Sequence, residues 1–363
     1  MLILPNDIIP NVLDLAAIIQ HLPTAYEQEY HAVNITIHLD DETVAWTFHF
    51  SKLQLCVFIN NHHEGISLVK SLVNSIMTNQ LLPVHDQTAF LQSRPFSFVQ
   101  GFYSTHVQLW ELGHLLGEEW VKEDILNLAS ELLYFRLALP CRDPSFLFLP
   151  TSFLADAQWC YSQTPHFFSP ELLVFRHRLA LTEVKLYGFI VWDNDHFAGY
   201  FCSHPRLLEH GDMLHHSLAS DVEDVLNWII DGVEPHVNIV MQSVALQGIG
   251  GSHGSCGISA YNFVETHVQP GVPQWDPLFS HNFRDTLLQD LLVYHNISQN
   301  QNFSFFDCVQ PCDDECKDLA LGYSFGLTGY NEYNIYRPLE THPIFEFLDQ
   351  NLPGLHPTQL PTV

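Results

Sequence analysis

The stretch Val237-Asn238-Ile239-Val240-Met241-Gln242-Ser243-Val244-Ala245-Leu246, followed by Gln247-Gly248-Ile249-Gly250-Gly251-Ser252-His253-Gly254-Ser255-Cys256-Gly257, decides how this chain is read. Its first part is rich in β-branched and apolar side chains, the composition of a buried strand. The glycine-rich segment then breaks the strand, and Ile258, Tyr261 and Val264 recur at helical spacing, so Cys256 is expected to open a helix. The N–H groups exposed at a helix N-terminus and the macrodipole favour an anion there, and the thiolate is the nucleophilic form of cysteine. A small cysteine packed in a core fits the same residues equally well.

Upstream, Lys185–Trp192 and Phe197–Cys202 flank the polar Asp193-Asn194-Asp195, the pattern of a β-hairpin with His196 at its exit. Asp212 follows sixteen residues later, in Glu209-His210-Gly211-Asp212-Met213. A cysteine nucleophile needs a base of near-neutral pKa, a group that fixes the base's tautomer, and donors for the oxyanion. His196, Asp212, Gln247 and Cys256 offer that set. With 23 histidines and 41 acidic residues in the chain, order alone does not select them. His196 as a hairpin cap and Asp212 as the N-cap of a following helix stay open.

Composition narrows the classes. A chain of 363 residues that is 47% hydrophobic and 13% aromatic builds real cores. Its 13 Lys+Arg against 41 Asp+Glu give a net charge of −28, which repels phosphate backbones and anionic lipid, so neither nucleic acid nor a membrane surface is an expected partner. No run of 18 apolar residues occurs. The opening Met1-Leu2-Ile3-Leu4-Pro5-Asn6-Asp7 has no basic segment or cleavage site, and the eight cysteines are scattered. The expectation is an intracellular protein, nuclear and/or cytoplasmic, with free thiols.

Residues 1–84 read as an α/β module: helical spacing over 7–20, strands over 34–39, 43–50 and 53–59 with a turn at Asp40-Asp41, and a helix over 67–78. Residues 85–94 read as a linker, and the prolines of 346–363 as a flexible tail. Between them, 120–136, 214–230 and 283–295 carry helical periodicity, and Phe146–Leu149 a short strand. Cys308, Cys312 and Cys316 do not have a usual zinc spacing and are read as structural.

Four pieces in order resemble the ubiquitin-like-protein-specific cysteine proteases of the Ulp/sentrin type. Trp120-Val121-Lys122-Glu123-Asp124-Ile125 resembles the family's W-L-x-D-x-x-I helix, and Pro150-Thr151-Ser152-Phe153 its P-x-x-F segment. His196-Phe197 with Gly211-Asp212 is similar to its His-Trp and Asp, and Gln247 with Ser255-Cys256-Gly257-Ile258 to its Q…D-C-G. The resemblance implies an α+β fold of the papain-like superfamily over 95–345, with a central mixed sheet flanked by helices and 1–84 as an extra N-terminal module. It implies Cys256 as nucleophile, His196 as base, Asp212 as its orienter and Gln247 as oxyanion donor. Trp120 and Phe197 would wall a slot for a Gly-Gly tail, and Glu123 or Asp124 would meet an arginine of a ubiquitin-like, SUMO-like modifier. Neither a metal nor a cofactor is implied. Phe197 in place of tryptophan, the long glycine-rich loop and Ser255 in place of an acid depart from the family pattern. A modifier-binding module without turnover, and a related acyltransferase, are the alternatives.

Overall fold

The computed structural model describes residue 10 and residues 12–301, apart from 40–41, 103–104, 142–145, 181–185, 194, 204–206, 218–220, 233–235, 243, 245–253 and 270. Gln247, His253, Cys308, Cys312, Cys316 and the proline-rich tail lie outside the described residues. Two compact units divide at Leu68/Val69.

In the first unit, helix α1 (Val12–Glu27) precedes a hairpin of β1 (Ala32–Leu39) and β2 (Glu42–His49). Leu39 faces Glu42 across the antiparallel pair. Leu15, Phe48, Phe50, Leu53 and Cys56 form its core. The strand expected over 53–59 is instead the start of helix α2 (Phe50–Asn79). A short apolar run has no period that tells a strand from a buried helix, and here Leu53 and Cys56, one turn apart, share the buried face.

In the second unit, residues 85–94 are not a linker: α3 (Val84–Gln92) begins just after Pro83 and buries Phe90. A 3-10 turn (Leu109–Leu115) leads to α4 (Glu123–Cys141). A five-stranded sheet follows in the order β3 (Phe146–Leu149), β4 (Leu186–Asp193), β5 (His196–Ser203), β6 (Leu207–Gly211), β7 (Asn238–Met241). The outer pairs are parallel and the inner pairs antiparallel, so the sheet is mixed and the unit α+β.

Alternation splits the strand residues between two cores. Leu147, Leu149, Tyr187, Phe189, Val191, Tyr200 and Cys202 pack with α5 (Phe153–Ser162), α6 (Pro170–Ala180) and α7 (Val222–Ile230). Phe148, Ile190, Phe197 and Phe201 pack on the opposite side with α4, α8 (Cys256–Val268) and α9 (Ser280–Gln301). A row of glycines across β4, β5 and β6 lets α8 lie directly on the sheet. A Cβ at Gly188 would come within 2.7 Å of Val264 and one at Gly199 within 2.8 Å of the Ala260 carbonyl, while one at Gly211 would strike the Phe263 ring. That close approach carries Cys256 to the end of β5 where His196 stands.

The helix expected from 214 starts only at Val222. Residues 213–216 form a turn on the Asp212 carboxylate, which accepts from the N–H groups of Leu214 and His216.

Candidate active site

Cys256 is the first residue of the thirteen-residue helix α8 and is 2% exposed. Its N–H and those that follow lack intrahelical acceptors, so the helix end presents donors and the positive pole of its dipole. His196 opens β5, opposite Asp193 at the end of β4, and Asp195 in the hairpin loop has φ 59, the left-handed backbone a tight turn needs. Asp212 follows β6 directly, and the pairing of Gly199 with Gly211 brings the two strands into register.

The three side chains meet. His196 Nε2 donates to Asp212 Oδ1 at 2.5 Å, both groups being buried, and the Cys256 side chain acts on the same imidazole. Leu214 N–H donates to Oδ1 at 2.7 Å and His216 N–H to Oδ2 at 3.0 Å, so the carboxylate is fixed from both sides. Burial alone pushes the His196 imidazolium down. Hydrogen bonds to Asp212 and Cys256, with the charges of both, outweigh it and raise the pKa to about 9. Burial raises the Asp212 carboxyl, and the bonds from His196, Leu214 and His216 reverse this to hold it below the usual range. Asp212 thus favours the charged imidazole beside a thiol that opens a helix, an arrangement that can support nucleophilic chemistry.

The substrate-side residues are placed differently from the expectation. Phe197 is 3% exposed and faces the core, so it does not wall an open slot. Trp192 covers it, with ring centroids 4.5 Å apart, and Trp192 meets Trp120 edge-on at 5.9 Å. Both tryptophans are exposed, 41% and 48%, so the open aromatic surface is Trp120 with Trp192. Sequence reasoning used Trp192 only as a strand end. A bulky aromatic left exposed at a hairpin turn was the available signal.

Glu123 and Asp124 are exposed in the first turn of α4, where acidic groups favour the helix dipole. Partial desolvation, then the charge of Asp124, raises the Glu123 carboxyl, and partial desolvation, then Glu111, raises that of Asp124. The Gln242 amide donates to Glu209, which also pairs with His267 at 3.0 Å.

His196, Asp212 and His216 bring ligand atoms within 4.8 Å of one another, a donor set suited to a transition metal. An ion there has to displace the proton shared by His196 and Asp212.

The sequence matches no protein-family model and no curated protein. Similar solved structures include the C-terminal Ulp1 protease domain in complex with Smt3, the yeast orthologue of SUMO. It is 12% identical, covers 59% of this chain and 97% of that one, and has a TM-score of 0.44. The Chaetomium thermophilum Ulp1-like SUMO protease catalytic domain is 11% identical over 58% of this chain and 90% of that one, at 0.43. A de-sumoylating protease is 14% identical over 61% and 99%, at 0.40.

Proposed function

We propose that the chain is a thiol endopeptidase or isopeptidase that cleaves after the C-terminal Gly-Gly of a ubiquitin-like modifier. The observation that carries this reading is the buried chain Cys256–His196–Asp212, with the cysteine on a helix N-terminus. Four sequence pieces in family order agree with it.

In this mechanism the Cys256 thiolate attacks the carbonyl of the terminal glycine. The oxyanion is met by the Cys256 N–H and by Gln247. As the tetrahedral adduct collapses, the His196 imidazolium gives its proton to the departing amine, leaving a thioester. His196, now neutral and held by Asp212, takes a proton from water, whose oxygen attacks the thioester and frees the modifier. Trp120 and Trp192 flank the tail on its way to Cys256, and residues without a Cβ pass closest to the rings, which favours glycine. Glu123 or Asp124 takes an arginine of the modifier, and the protein is intracellular.

A modifier carrying a thiol-reactive group at its C-terminal glycine tests the proposal. Wild-type protein is expected to be trapped covalently, and Cys256→Ala to bind without trapping. Reversible binding by both proteins would leave a modifier-binding module, and acyl-CoA consumption would indicate an acyltransferase instead.

A further inference from the structure

The inward stripe of α9 carries a cation. Arg284 lies on the same face as Leu287, Leu288, Leu291 and Leu292, and is 2% exposed. A buried guanidinium is costly unless its donors and its charge are both answered. Its donors reach three backbone carbonyls: His114 at 3.2 Å, Glu119 at 2.7 Å and Gly254 at 2.6 Å. Among the described residues it forms no ion pair, and Nε finds no partner.

The places of these carbonyls are informative. Gly254 lies two residues before Cys256, Glu119 is the neighbour of Trp120, and His114 lies in the last turn of the 3-10 segment Leu109–Leu115. Gly254 N–H donates to the Glu118 carbonyl at 3.0 Å, and a Cβ at 254 would strike the backbone of Glu118 and Glu119. One helical turn before Arg284, the Ser280 hydroxyl lies 2.5 Å from that of Ser255. Two successive turns of α9 thus grip the two residues that precede the nucleophile. Burial lowers the Arg284 pKa, and of the charges that oppose this Cys256 acts ahead of Glu118 and Glu119.

We propose that Arg284 is a positioning residue for Cys256: it locks the chain entering α8 to the segment bearing Trp120. This rests on Cys256 being the nucleophile.

The test is the rate of iodoacetamide alkylation at Cys256 at neutral pH, read by mass spectrometry of its peptide in the full chain, with kcat and KM on a modifier fusion. Arg284→Met is expected to slow alkylation and to lower kcat, each about tenfold, with KM little changed, because a nucleophile displaced from its base loses rate rather than binding. Arg284→Lys cannot span the carbonyls and is expected to lower kcat to a similar extent. Turnover of the fusion by Cys256→Ala equal to wild type would remove the nucleophile reading and this inference with it. Unchanged alkylation and kcat in Arg284→Met, with turnover that depends on Cys256, would overturn the inference alone. Should Arg284→Met fail to fold, Arg284→Lys decides, since wild-type kcat and KM in that variant contradict the proposal.

Discussion

Two buried histidines of the second unit stand in opposite states. His196 is 6% exposed and His295 is fully buried, yet the first is raised to about 9 and the second lowered to about 4. Burial pushes both down. His196 has a carboxylate and a thiol as partners. His295 accepts the Gln100 N–H at Nδ1, 2.9 Å away, while its Nε2 has no partner among the described residues. Burial therefore does not make a histidine chemical. An anion placed at its second nitrogen does, and that anion is what separates the end of β5 from the end of α9.

The sharpest way to break the contrast is to remove each imidazole. His196→Ala is expected to cut turnover of a Gly-Gly fusion by about 10⁶-fold, as loss of a triad base does, while His295→Gln leaves kcat within about twofold. Steady-state kinetics on both proteins check this. Next in size is the partner: Asp212→Asn should cost about 10⁴-fold through the wrong tautomer. An NMR titration of that variant should show the His196 pKa falling, because burial remains while the charge is gone.

Stability against pH follows opposite signs. The raised His196 contributes stability that is complete below its unfolded value near 6.5 and is lost as pH rises through about 9. His295 stays neutral in the fold until about pH 4, so the unfolded chain binds its proton first and stability falls between about 6.5 and 4. The loss is on the order of 3 kcal/mol, and His295→Gln should flatten that acid limb in urea denaturation. The smallest effect concerns the surface over the site. Trp192→Ala is expected to raise KM for the modifier about tenfold with kcat little changed, while Phe197→Ala acts mainly on thermal stability.

Much of this was readable in the chain, for local reasons. A polar Asp193-Asn194-Asp195 between two apolar runs dictates a hairpin, and the leucine stripe of α9 dictates a buried helical face. The helix opened by Cys256 was equally legible from the apolar period of Ile258, Tyr261 and Val264, whereas the buried strand expected over 237–246 is confined to Asn238–Met241 and mostly exposed. What failed had competing signals. The run 53–59 fits a strand or a buried helix, and the helix expected at 214 gives way to a turn because Asp212 draws the N–H groups of Leu214 and His216 to itself. What was missed lies in contacts across the chain. Arg284 meets Glu119 over 165 residues, and its only local sign was a cation on an apolar stripe. Trp192 took the exposed place expected of Phe197 because the two are cross-strand partners on one face of the sheet, with Phe197 packed beneath the Trp192 ring.

The glycine row beneath α8 sets the spacing of sulfur and imidazole by leaving atoms out. Gly188, Gly199 and Gly211 carry no functional group, yet a methyl at any of them lifts the helix that bears Cys256 while His196 stays on its strand. A shift of about 1 Å between reacting groups costs on the order of 100-fold in rate. In a full substitution scan, these three silent positions should tolerate as little change as the residues that do the chemistry.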